Sequence, residues 1–270
     1  MSLKTPVEIR KGRSGERIFA VALFLTLIVA AAVAWFVVAQ QNAENADKAF
    51  QSAHERFVGA ADDAVTRLSI DFEYLSAQYA ASMRAEPSNA GTIRSVARNL
   101  AVFDSDGKAA LSGIDVFAPQ NPALRSAKNS PYPHDILFAR SPFTGERAVL
   151  FTAAFEDVSG ETFVLVMEAA ETPLANSLLL KDPERKDVLL LVAQDGSVIV
   201  ANQERPAISN LVQWAEKAAA KGEEPRPLYV LIRDRIAGFS TYESDDGAFR
   251  MAFSPVSGTD WMLCQIEFVE

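Results

Sequence analysis

His54 and His134 are the only histidines of this 270-residue chain, and eighty positions separate them. No cysteine or acidic residue stands at ligand spacing from either, so a histidine-based metal centre is not expected. A Ser-His-Asp arrangement would need His134 as its base, because His54 falls in a helical stretch. No serine lies in the Gly-x-Ser-x-Gly turn that exposes a nucleophile. Cys264 is the single cysteine and sits in the apolar run Trp261-Met262-Leu263-Cys264, which reads as a small buried hydrophobe and leaves no intrachain disulfide. The glycines do not form a phosphate-cradling loop. Glu243, Asp245 and Asp246 crowd ahead of Gly247 without calcium-loop spacing, and the stretch 240–247 reads as an acidic turn in a solvated hairpin. The expectation is therefore no catalytic residue, no metal and no cofactor. What remains is recognition, and the elements that would position a recognition site come next.

Residues 18–39 carry no charge and one hydroxyl, Thr26. As a helix rising roughly 1.5 Å per residue, the run is long enough to cross a hydrocarbon core of about 30 Å. It exceeds the apolar core of a cleaved signal, usually about 7–15 residues, so a retained anchor is expected. Lys4, Arg10, Lys11, Arg13 and Arg17 precede it against Glu8 and Glu16, which predicts a cytoplasmic tail over 1–17 and an exterior main domain. The whole chain has 26 basic and 35 acidic residues. Removing the tail's five basic and two acidic residues leaves 21 against 33, or −12, which argues against nucleic acid as a partner.

Residues 40–86 predict a long stalk helix: between Gln40 and Ala85 there is no proline and one glycine, Gly59. Val65, Leu68, Phe72, Leu75 and Tyr79 follow alternating steps of three and four, a heptad seam, and Phe50, Phe57 and Ala64 lie seven apart upstream. Ala61 between Phe57 and Val65 marks a stutter. Phe57, Val65, Leu68, Phe72 and Leu75 are expected to pair two copies of the chain as a homodimer. The alternative is that the seam covers the chain's own sheets. Glu86-Pro87 ends the rod.

Beyond the rod the sequence repeats weakly. Ala101 to Leu111 reads as strand, Asp106-Gly107 turn, strand; Leu189 to Val200 repeats this around Asp195-Gly196. Each half closes on further strands joined by Ser-Gly turns, Ser159-Gly160 and Ser257-Gly258, each followed three residues after the glycine by an aromatic, Phe163 and Trp261. Gln213 to Lys221 reads as a short helix stopped by Gly222, with Trp214 as a core plug. The expected fold class is α+β, with two lobes of roughly five antiparallel strands each over 87–180 and 181–270. Each lobe is small for a core of its own, so the long helix should supply the missing covering layer.

This order resembles the double-Cache extracytoplasmic sensor modules of bacterial membrane receptors, whose lobes are PAS-like. The matching stretches are Val102-Phe103-Asp104-Ser105-Asp106-Gly107, Phe138-Ala139-Arg140-Ser141-Pro142-Phe143-Thr144-Gly145-Glu146, Leu191-Val192-Ala193-Gln194-Asp195-Gly196-Ser197 and Ser254-Pro255-Val256-Ser257-Gly258-Thr259-Asp260-Trp261. With the span and the long helix they cover roughly residues 40–270. The resemblance implies a membrane-distal lobe that receives a small ligand and a membrane-proximal lobe that relays it. It also implies an inner-membrane location with the main domain in the periplasm, and an output of histidine kinase type, with a diguanylate cyclase or chemotaxis receptor as alternatives. The chain stops at Glu270, the edge of the last predicted strand, which favours the sensor part of a longer receptor.

In the distal lobe the implied covering segment is 113–141, carrying Asp115, Arg125, Tyr132, His134, Asp135 and Arg140. An arginine there would clamp a carboxylate, and Tyr132 or an aspartate would hold an amine or hydroxyl. Arg140 alternatively pairs with Asp157 or Glu146. The Arg-x-Trp signature of the amino-acid-binding subfamily is missing, because no tryptophan occurs between Trp35 and Trp214. The partner is thus a small organic ligand or, if the lobe is filled, an exported protein docking on an adaptor without a pocket.

Overall fold

The computed structural model of the chain describes residues 12–84, 97–108, 134–169, 187–202, 208–215, 219–220, 228–244 and 247–269. Its first element is one uninterrupted helix, α1, Gly12–Arg84. The absence of proline and the run of alanine, glutamate, glutamine and arginine after the apolar stretch explain why nothing breaks it. Among the described residues one helical segment, Phe24–Ala81, contains a window apolar enough to cross a membrane, with mean hydropathy 1.9. The chain divides into two compact units, Met1–Ser52 and Ala53–Glu270. In the first, the described apolar side chains from Phe24 to Val38 are exposed.

The second unit holds two antiparallel sheets, labelled distal and proximal after the places the double-Cache resemblance gives their lobes. The distal sheet comprises β1 (Ala97–Phe103), β2 (Asp135–Arg140), β3 (Arg147–Glu156) and β4 (Thr162–Ala169), in the order β1-β4-β3-β2. The expected partner strand of β1 at 109–111 lies outside the described residues. The proximal sheet comprises β5 (Val188–Val192), β6 (Val198–Ala201), a two-residue β7 (Ala219–Ala220), β8 (Gly238–Ser244), β9 (Gly247–Pro255) and β10 (Met262–Val269), in the order β6-β5-β10-β9-β8-β7. Two short helices, α2 (Leu211–Ala215) and α3 (Leu228–Arg233), complete it. The α+β class, the long helix and the two lobes are as the sequence predicts.

The turns follow local chemistry. Gly107 and Gly196 take φ of 78° and 81°, and Asp104 and Asp195 accept backbone N–H bonds within their loops. Gly160 and Gly258 take the same left-handed conformation in the two Ser-Gly turns. One local expectation is narrowed and one fails. The hairpin expected over 240–247 is present, with Ser244 paired to Gly247, but residues 240–244 belong to strand β8: Tyr242 is buried and stacks on Phe249, 5.3 Å between ring centres, so cross-strand packing draws them into the sheet. The helix expected over 213–221 is only Leu211–Ala215, because Ala219 and Ala220 pair with Glu243 and Tyr242 at the sheet edge. Helix α3 gives no strong sequence signal; its buried Leu228 and Ile232 are four apart.

The seam of α1 also needs correcting. Phe57, Val65, Leu68, Phe72 and Leu75 are all buried within the chain, at 4, 3, 8, 0 and 3 % exposure. They share one apolar core with Val149, Phe151, Ala153, Leu165 and Met167 of the distal sheet. Leu189, Leu191, Trp261 and Leu263 of the proximal lobe belong to the same core. Each sheet has an apolar face to cover, and the helix is the element that covers both. Those five residues are therefore not available to a second copy. Two polar contacts pin α1 to the proximal lobe: Asp62 accepts from the Ser257 backbone N–H at 2.8 Å, and His54 Nε2 lies 2.9 Å from Ser254 Oγ.

Candidate functional site

Strand alternation assigns every distal residue to one of two faces. Val149, Phe151 and Ala153 of β3, with Phe163, Leu165 and Met167 of β4, face α1. The intervening positions face away from it. There Ala101, Phe103, Leu150, Val164 and Val166 form a separate apolar cluster, extended by Leu137 and Ala139 of β2. Into this cluster the sequence sets polar groups. Glu168 follows Val164 and Val166 on β4 and is 1 % exposed. Thr152 follows Leu150 on β3, is 0 % exposed, and its Oγ1 has no hydrogen-bond partner among the described residues. Asp135 is cross-strand from Thr152, and Thr152 is cross-strand from Val166. Glu168 is cross-strand from both Leu150 and Asn99.

Such a buried carboxylate is costly unless hydrogen bonds or a cation satisfy it. Ser141, itself fully buried at the end of β2, donates its hydroxyl proton to Glu168 Oε2. The same Ser141 oxygen accepts from the N–H groups of Phe143 at 3.0 Å and Thr144 at 3.3 Å, which fixes the turn between β2 and β3. Cross-strand neighbours in a sheet stand about 5 Å apart and diagonal ones about 7–8 Å. Glu168, Thr152 and Asp135 thus bring two carboxyl groups and a hydroxyl close together on one otherwise apolar sheet face.

The corresponding face of the proximal lobe is filled. Phe249, Met251, Phe253, Met262, Cys264 and Ile266 meet Leu211 of α2 and Ile232 of α3, all buried. Trp214 is half-buried there, 5.0 Å from the Phe249 ring. Burial also pushes the Cys264 thiol far up, so it remains protonated and acts as an apolar filler, as expected.

The sequence-based site residues divide. Asp115, Arg125 and Tyr132 lie outside the described residues. His134 is on the other side of the sheet: its ring meets Phe72 edge-on at 6.0 Å, and its Nδ1 is 3.2 Å from Glu73 Oε1 of the helix. Arg140 is exposed at the end of β2, in step with Ile136 and Phe138, which pack towards α1. Neither therefore shares the face that holds Glu168. Of the expected site residues among those described, only Asp135 does. Sequence reasoning missed Glu168, Thr152 and Ser141. The available signal was an acid interrupting the apolar strand Thr162–Ala169 on the side of Val164 and Val166.

No protein-family model matches the sequence, and no curated protein is similar to it. Solved structures share the fold. The extracellular domain of a protein described as a histidine kinase, rpHK1S-Z16, superposes with a TM-score of 0.55 at 13% identity, over 81% of this chain and 95% of that one. The ligand-binding domain of the Pseudomonas fluorescens chemoreceptor CtaA, solved with L-serine, gives 0.54 at 15% identity over 77% and 92%. The ligand-binding domain of Mlp24 with asparagine gives 0.58 at 12% identity over 81% and 91%. The chain has the fold of extracellular ligand-binding domains of histidine kinases and chemoreceptors, as the double-Cache resemblance predicts.

Proposed function

We propose that this chain is a membrane-anchored periplasmic sensory module whose distal lobe binds a small molecule carrying a cationic nitrogen. The observation that carries the reading is the buried Glu168 carboxylate beside the unpartnered Thr152 hydroxyl, on the sheet face turned away from α1. The amino acids bound in CtaA and Mlp24 support reception of a small molecule. The chain acts by binding rather than by catalysis. Its N-terminus is cytoplasmic, the described residues hold one span, and its output is a histidine kinase, in line with one of the similar folds. Ligand binding works as a switch only if the ligand's affinity differs between two arrangements of the lobe on α1.

Calorimetric titration of the full chain in detergent micelles tests this, with amines, amino acids and dicarboxylates as probes. The expected result is binding confined to nitrogen-cation probes and lost on Glu168→Gln. Binding of dicarboxylates alone, or binding indifferent to Glu168→Gln, refutes it.

The homodimer is proposed on a different helix face from the buried seam. Asp63, Arg67, Ile70, Tyr74, Ala77 and Ala81 are exposed and repeat in alternating steps of four and three. Ile70 and Tyr74 are large apolar side chains at 59 and 64 % exposure. Cysteine at position 70 or 74 should cross-link two copies in membranes, and cysteine at position 68 should not. Cross-linking only at 68 would overturn this choice of face.

A further inference from the structure

The turn between β2 and β3 has a contact with a different lobe at each end. At its start, Ser141 holds Glu168 in the distal lobe. At its close, Arg147 reaches the proximal lobe: Nη1 donates to Asp195 Oδ2 at 2.8 Å and to Ser197 Oγ at 2.7 Å. Between them the turn is tightly tied, with Ser141 N–H donating to Glu146 O at 2.7 Å and Gly145 N–H to Ser141 O at 3.0 Å. The guanidinium is aimed from its own lobe, 4.7 Å above the Phe138 ring centre and with Nη2 3.4 Å from Phe138 O. On the receiving side, Asp195 is built into the Asp-Gly turn. Its Oδ1 accepts from the Ser197 N–H, and its carbonyl accepts from Asn210 Nδ2. Partial burial would raise the Asp195 carboxyl, but hydrogen bonds from Arg147 and then Ser197 outweigh it and hold it below its ordinary range.

We propose that residues 141–147 form a coupling element between the lobes, with Arg147 as the positioning residue that passes a change at Glu168 to the turn at Asp195 and Gly196. A serine hydroxyl has one proton to donate. A cationic group that engages Glu168 shifts the carboxylate to which Ser141 donates. Rotation of Ser141 then removes the oxygen that two turn N–H groups share, and Arg147 begins two residues beyond Gly145. The Arg147–Asp195 pair is half-exposed, at 44 and 54 % of the side chains, so it contributes little to stability by itself. Its value is directional: a fork anchored on one lobe grips a carboxylate locked in the other. The role in signalling rests on the ligand reading above, whereas the mechanical link exists without ligand.

The test therefore uses no ligand. Amide hydrogen exchange is followed at Gly196 and Ser197 in the full chain in detergent micelles, for the wild type, Ser141→Ala, Arg147→Gln and the double variant. Coupled groups interact non-additively, so each single change should speed exchange by about three-fold or more and the double should add less than about half of that again. If Ser141→Ala does not fold, Glu168→Gln is read at the same amides with the same expectation. Amides unchanged within about two-fold in the Ser141 or Glu168 variant, or single effects that multiply independently, overturn the proposal. Failure of amine binding in calorimetry leaves this result untouched, so the two ideas fail separately.

Discussion

Acidification should loosen the grip of α1 on the proximal lobe through His54. Its imidazole is 5 % exposed, Nε2 lies 2.9 Å from Ser254 Oγ, and Nδ1 is buried with no partner among the described residues. Burial lowers the imidazole from 6.5 to about 4. A folded value below the unfolded one means that the unfolded chain binds the extra proton between those limits. The contribution is complete above pH 6.5, declines as pH falls, and is exhausted near pH 4. At 1.36 kcal/mol per unit the whole window is worth about 3 kcal/mol, of which about 2 kcal/mol is lost by pH 5. Asp260, exposed but partly desolvated, acts in the opposite sense. Desolvation raises its carboxyl, although the Arg235 charge opposes this, so its penalty shrinks as pH falls. The comparison with His54→Gln removes that background. Urea unfolding of the full chain in micelles at pH 7.5 and 5.0 is the assay, read by the emission of fully buried Trp261. The wild type should lose about 2 kcal/mol more than His54→Gln over this interval. Equal losses in the two proteins would refute the reasoning.

Further outcomes follow from packing and backbone geometry. Phe72 is fully buried against Phe151, 5.4 Å between ring centres, so Phe72→Ala should cost about 3–5 kcal/mol in the same urea assay; a cost under about 1 kcal/mol would mean the helix is not the cover of the distal sheet. Gly160 and Gly196 both have positive φ, but a Cβ at Gly160 meets open space while one at Gly196 would stand 2.7 Å from Val212 Cγ2. Gly160→Ala should therefore cost about 1–2 kcal/mol and Gly196→Ala distinctly more. Cys264 should resist maleimide labelling at pH 8 until urea unfolds the chain, because its thiol is buried and protonated; rapid labelling in the native state would mean that β10 opens.

Features that depend on neighbours along the chain are legible in the sequence alone. The uncharged run 18–39, the unbroken helix and the Asp-Gly and Ser-Gly turns are decided within a few residues, by hydrophobicity, propensity and the need for positive φ. Their order is enough to infer two antiparallel lobes. Where each periodic surface points is not decided there. A heptad of Phe57, Val65, Leu68, Phe72 and Leu75 is equally compatible with a second helix or with a sheet, and only the assembled core shows that both sheets needed it. The same holds for the site. Glu168 and Thr152 look like isolated polar residues in apolar strands, and they become neighbours through the β3–β4 register, which brings together side chains sixteen positions apart. His134, closer in sequence to the expected pocket, is carried to the opposite face by the strand's alternation. Local free energies settle the elements, but the choice of face is a long-range compensation between apolar surfaces, and it exists only once the chain has closed on itself.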